Sequence, residues 1–182
     1  MHVFGYDCLP HGHMEMKFTN VRVPKDNIIL GAGRGFEIVQ SRLGPGRIHH
    51  CMRAIGMAER ALNLHLERLH DPTRQPFSRL LVSFETNLDV IVASRLEIHA
   101  ARLVVLDAAR SIDESGAKAS WVKIAYAKAI VPVVVQKVID RAIQVYGAKG
   151  VSQDTPLAYW YAMNRTLRIA DGPDEGNFWI DS

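Results

Sequence analysis

Residues 165–170 read as the end of a helix, and they run directly into Asp171-Gly172-Pro173-Asp174-Glu175. Three carboxylates therefore stand at a helix C-terminus, where the backbone's partial negative charge disfavours acids. An acid held there has either solvent around it or a task. Asp171, on a turn stiffened by Gly172-Pro173, has the makings of a general base, because a turn that cannot swing aims its carboxylate. A solvated aspartate is the plainer alternative. A second irregularity, Gly44-Pro45-Gly46, precedes Arg47 and aims a guanidinium in the same way.

Two other segments carry groups that could hold a ligand. In Gln144-Val145-Tyr146-Gly147-Ala148-Lys149-Gly150, Gly147 and Gly150 allow close approach to the backbone at a helix end, and Gln144 can donate hydrogen bonds. The plainer reading is a helix C-cap. In Arg74-Gln75-Pro76-Phe77-Ser78-Arg79, two guanidiniums lie beside a helix N-terminus and could receive an anion; a solvated basic loop is the alternative. The pairs His11/His13 and His49/His50 invite a metal, but neither has the i, i+4 spacing nor the acids that would complete a site. No metal is expected. Gly31-Ala32-Gly33-Arg34-Gly35 lacks the βαβ unit that a dinucleotide fingerprint needs, and it suits a hinge better.

The elements that position these residues follow from periodicity. Met14, Met16, Phe18, Val21 and Val23 alternate with polar residues as in a strand, with a bulge near Thr19-Asn20 and a stop at Pro24. Such a strand needs a partner. From Phe36 the apolar period becomes helical and runs to about His70, with a kink or split expected at Gly44-Pro45-Gly46. A second helix is predicted from Phe77 to Ser115, ended by Gly116. A third is predicted from Ala119 to Tyr146, bent at Pro132 and capped at Gly147, and a shorter fourth from Pro156 to Ala170. The expected fold is mainly α: a four-helix bundle over residues 33–182, preceded by a short β segment within residues 1–32.

Composition excludes several classes. The chain has 182 residues, 48% of them hydrophobic and 23% charged, which suits one globular domain or one plus a stub. A net charge of +3 with acids interspersed gives no basic face for nucleic acid. Cys8 and Cys51 form no disulfide framework or CxxC motif, so a reducing intracellular compartment is expected. No apolar run is long enough to span a bilayer, and residues 1–16 show no targeting signal.

Taken in order, NVRVPKDNIILGAGRGFEIV, SRLGPGRIHHCMR, the Arg-x-x-Phe segment at Arg74–Phe77, QVYGAKG and RIADGPDE resemble the C-terminal part of the acyl-CoA dehydrogenases. The resemblance runs from about Val3 to Glu175 and looks closest to the branch fused to phosphotransferase-like domains. It implies that residues 1–32 are the remnant of a middle β-barrel domain and that the bundle is the C-terminal domain. It also implies FAD as cofactor and dehydrogenation of an acyl-CoA thioester in fatty acid β-oxidation.

Further expectations rest on that resemblance alone. Electron-transfer flavoprotein would accept the electrons, the assembly would be a homodimer or homotetramer, and the compartment mitochondrial or peroxisomal. Asp171 falls where the family base, usually a glutamate, removes the α-proton, with Arg47 orienting it. Arg74, Phe77, Gln144, Gly147 and Gly150 fall where family segments meet a neighbouring subunit's FAD, with Ser78 and Ala148 in place of the usual glycines. Glu175 falls near the adenosine, where a glutamine is usual. Family sequences continue into a further apolar helix, which GNFWIDS replaces here. The competing reading is a catalytically silent helical oligomerisation module.

Overall fold

The computed structural model describes residues 14–178, so His11, His13, Cys8 and the beginning of the expected β segment lie outside the described residues. The chain divides into two units, residues 1–39 and 40–182.

In the first unit, residues 14–24 form no strand; the described residues contain none. This corrects the β segment expected there. A strand is defined by its ladder, and an extended segment without a paired neighbour has nowhere to place its N–H and C=O groups except water. Met14, Met16, Phe18, Val21 and Val23 are accordingly exposed. The expected irregularity is present, since Asn20 has φ 51°. A single 3-10 turn, Lys25–Asn27, follows Pro24.

Four helices build the core of the second unit. Helix α1, Gly35–Leu69, enters it from the first unit. It buries Ile48, Cys51, Ala54, Ile55, Ala58, Ala61, Leu62, His65 and Leu69, a stripe at three-to-four spacing. The expected split at Pro45 does not occur, for the helix runs through Gly44-Pro45-Gly46 with the proline inside it. One missing backbone donor is outweighed by the packed turns from Ile48 onward.

Helix α2, Glu85–Ala119, starts later than the predicted Phe77. Two 3-10 turns, Pro76–Ser78 and Leu81–Ser83, precede it. Side chains hold them open: Ser83 Oγ donates to Leu80 O at 2.8 Å and Asn87 Nδ2 to Leu81 O at 2.7 Å, competing with helical bonds. Regular geometry is lost where predicted, at Gly116, with φ 80° and ψ 161°. Only a narrow stripe of α2 is buried: Ser94, Ile98, Ala101, Val105 and Ala108. Leu88, Val92, Leu96, Leu103 and Leu106, equally periodic in sequence, stay exposed. The small residues Ser94, Ala101 and Ala108 form the face that packs against the core.

Helix α3, Trp121–Tyr146, is the central element, burying twelve residues from Ile124 to Ala142. Pro132 lies within it, and its carbonyl accepts from Asn164 Nδ2 at 2.8 Å. Gly147 caps α3 with φ 62°, as the sequence indicated. Helix α4, Leu157–Thr166, continues as tight turns to Ala170 rather than as helix, and a short α5, Asp174–Phe178, follows. Residues of α1, α2, α3 and α4 share one core.

Gly150 is a packing residue. It is buried, and a Cβ there would stand 2.5 Å from the carbonyl oxygen and 2.9 Å from the Cα of Ile143 in the last turns of α3. The turn Gly147–Val151 must give way if any side chain is added. Gly150→Ala is expected to destabilise the bundle by about 2 kcal/mol through overpacking against backbone, read as a lowered urea midpoint.

Candidate functional site

The residues singled out by sequence gather at two places on the second unit. The first is the turn after α4. Asp171 has φ 59° and Gly172 φ 112°, two successive left-handed residues that reverse the chain into α5. Aspartate tolerates that conformation better than most residues, and glycine adopts it freely. Backbone carbonyls of the turn are each held from another element. Arg47 Nε donates to Asp171 O at 2.6 Å. Lys128 Nζ, on a side chain with no exposed surface, donates to Leu167 O and to Gly172 O, the latter at 3.2 Å. Asn177 Nδ2 donates to Pro173 O at 3.0 Å, and Arg168 Nε meets the buried Asp174 at 2.6 Å. A Cβ on Gly172 would stand 3.2 Å from the Arg47 guanidinium, so the glycine also keeps room for that arginine.

Arg47 therefore works differently from expectation. It grips the main chain of Asp171, not the carboxylate. The carboxylate instead meets His50, with Nε2 3.2 Å from Oδ2, and the aspartate side chain retains a quarter of its surface exposed. His50 in turn receives Arg53 NH2 on Nδ1 at 2.9 Å. Burial, the largest influence, pushes the His50 pKa below the ordinary histidine value, against the attraction of Asp171. Burial likewise lowers the Lys128 ammonium, and it raises the adjacent Cys51 thiol to about 12, so that thiol stays protonated and inert.

The second place lies at the other end of α1. Arg47 and Arg68 are 21 residues apart on that helix, roughly 30 Å along its axis. A cleft of about 440 Å³ is lined by Arg68, Arg74, Gln75, Gln144, Tyr146 and Gly147, among others. Its loop is built by Asp71, whose Oδ1 accepts from Thr73 N at 2.9 Å and Thr73 Oγ1 at 2.6 Å. Those two bonds also pull the Asp71 pKa below the usual carboxylate range. Arg68 lies over the Tyr146 ring, 5.3 Å from its centroid, and bonds Asp71 at 3.2 Å. Arg74 is exposed on this loop, and nothing lies within 4 Å of where a Cβ of Gly147 would sit. A second hollow of about 390 Å³ adjoins it, sharing Gln144 and lined by His65, Asp140 and Arg141.

The structure thus brings Asp171 together with Arg47, and Arg74 together with Gln144 and Gly147. It does not bring in the others. Phe77 is outside the cleft, 90% exposed with φ 55°, Gly150 is buried against Ile143, and Glu175 is exposed on α5. Sequence reasoning missed Lys128 and the pairing of His50. A signal existed for both. Lys128 stands four residues after Ile124 and three before Val131 on the buried stripe of α3, and His50 is one turn beyond Arg47 on α1.

Comparison with known proteins gives the family of the helical domain. The family model for the acyl-CoA dehydrogenase C-terminal domain matches residues 33–178. Acyl-CoA dehydrogenase family member 10 of Mus musculus is 54% identical over 95% of this chain, which spans only 16% of that relative. A solved structure from Mycobacterium abscessus superposes with a TM-score of 0.93 at 43% identity, over 98% of this chain and 44% of its own. Butyryl-CoA dehydrogenase from Megasphaera elsdenii gives 0.80 at 29% identity, over 90% of this chain and 42% of its own. The chain belongs to the acyl-CoA dehydrogenase family, whose C-terminal helical domain it carries.

Proposed function

We propose that this chain is the C-terminal part of an FAD-dependent acyl-CoA dehydrogenase acting in fatty acid β-oxidation, with Asp171 as the base that removes the α-proton of the thioester. One observation carries the reading: Asp171 stands on a left-handed turn whose carbonyls are held by Arg47, Lys128 and Asn177, so its carboxylate has a set direction. A carboxylate in solvent on a mobile end would need none of this. The C–H electron pair released at the α-carbon forms the new double bond as the β-hydrogen leaves with its pair. FAD, when bound, supplies the acceptor for that hydride.

The cleft at Arg74, Gln144 and Gly147 fits the polar, phosphate-bearing end of such a dinucleotide. It offers a guanidinium, an amide donor and open backbone in one place, with no side chain over Gly147. Its distance of roughly 30 Å from Asp171 along α1 supports a cleft that serves the cofactor of a second subunit. The exposed apolar face of α2, Leu88 to Leu106, suits contact with a second copy in a homodimer or homotetramer. Residues 1–32 belong, on this reading, to the preceding barrel domain, the electron acceptor is an electron-transfer flavoprotein, and the site of action is mitochondrial or peroxisomal.

The test is spectroscopic. The FAD-loaded protein is expected to show flavin absorbance that bleaches on anaerobic addition of an acyl-CoA. Unchanged flavin absorbance across short, medium and long acyl chains would leave the assembly module as the correct reading.

A further inference from the structure

We propose that His50 is a positioning residue for Asp171, held in one tautomer by Arg53 so that its Nε2–H faces the carboxylate at Oδ2 and sets the direction in which it receives the substrate proton. The inference rests on the reading of Asp171 as the base. A guanidinium can only donate, so the 2.9 Å contact from Arg53 NH2 obliges His50 Nδ1 to accept. The remaining ring hydrogen must then sit on Nε2, which faces Asp171 Oδ2 at 3.2 Å. Arg53, His50 and Asp171 form a directed series from cation to imidazole to carboxylate.

The series also keeps His50 neutral. Taking a second proton on Nδ1 would break the bond from Arg53. Burial opposes the cation, as do Arg53 and His49 on α1 and Lys128 on α3, while Asp171 alone favours it. A neutral imidazole turns its Nε2–H dipole toward the carboxylate, 3.2 Å away, without neutralising it, which leaves the base its charge.

The arrangement answers a difficulty of reach. Aspartate is one methylene shorter than glutamate, and a displacement of about 1 Å at a reacting group can lower a rate by ~100-fold. A carboxylate oriented by His50 through its side chain and by Arg47 through its backbone loses the freedom that would add to that penalty. Arg53 has a part even though it is exposed, because it selects the tautomer.

Two measurements test this. In the ¹⁵N-imidazole NMR spectrum of the protein, His50 is expected as the neutral Nε2–H tautomer at pH 7, with Arg53→Met admitting the other tautomer. In the FAD-loaded protein, His50→Leu is expected to lower kcat by about 10- to 100-fold with KM changed less than about twofold. His50→Gln, whose amide N–H can reach the same oxygen, is expected to recover most of the loss. An Nδ1–H or cationic His50 at pH 7 overturns the inference, as does His50→Leu at the wild-type rate or His50→Gln as slow as His50→Leu. Full turnover by Asp171→Asn would remove the base itself and this inference with it. An inactive Asp171→Asn beside a fully active His50→Leu would remove only the role of His50.

Discussion

Asp171→Asn is expected to lower acyl-CoA turnover by roughly 10²–10⁴-fold, the usual contribution of a general base, while leaving the unfolding midpoint nearly unchanged. The substitution separates chemistry from structure unusually well at this position. Asparagine tolerates φ near 59° as readily as aspartate does, so the turn survives. Arg47 holds the backbone carbonyl, which the substitution does not touch. The amide oxygen can still face His50. What disappears is the negative charge and the ability to take a proton. Steady-state turnover and anaerobic flavin reduction measure the loss, and urea unfolding checks that the bundle is intact. A wild-type rate in Asp171→Asn would end the assignment of the base.

The second large effect is on acid stability, and it comes from His65. This residue of α1 is only 2% exposed, its Nε2 is buried without a hydrogen-bond partner, and Arg141 faces it from α3. Burial, reinforced by Arg141, lowers its pKa from 6.5 to about 4. In the unfolded chain the ring protonates as pH falls through 6.5, whereas in the folded chain it resists until about 4. Between those values the unfolded state binds more protons, so stability falls as pH falls, with no further loss from this group below about 4. The shift corresponds to about 3 kcal/mol across that window. His50, also lowered, adds to the same trend. Urea unfolding at pH 7.5 and pH 4.5 should show the drop in wild type, and His65→Gln should remove the larger part of it. Equal pH dependence in the two proteins would show that His65 does not carry the effect.

Both predictions concern residues whose importance was unevenly visible beforehand. Asp171 stood out because an acid on a Gly-Pro turn at a helix end contradicts the local field, and Arg47 because it follows a Gly-Pro-Gly break. His65 did not stand out, since a polar ring draws no notice in an apolar pattern, although it shares the three-to-four spacing of Leu62 and Leu69. Gly147 and Gly150 looked alike in sequence, yet one caps α3 beside an open cleft and the other is pressed against Ile143. Phe77 belonged to a suggestive motif and proved to be almost wholly exposed.

The helices α1, α3 and α4, and the break of α2 at Gly116, were determined locally, because apolar period and capping residues act over a few positions. Tertiary packing decided everything that needs two distant segments to meet. The single buried stripe of α2 was chosen from two equally periodic ones by small residues that let it pack against the core. The segment before Pro24 has strand alternation but no neighbour to pair with, so alternation alone did not make it a strand. Asp171 lies 124 residues from Arg47, and only the packing of α1 and α3 against the turn after α4 brings Arg47, His50 and Lys128 to it. A carboxylate's surroundings are a property of the assembled bundle, because hydrogen bonds act over about 3 Å of space whatever the distance along the chain.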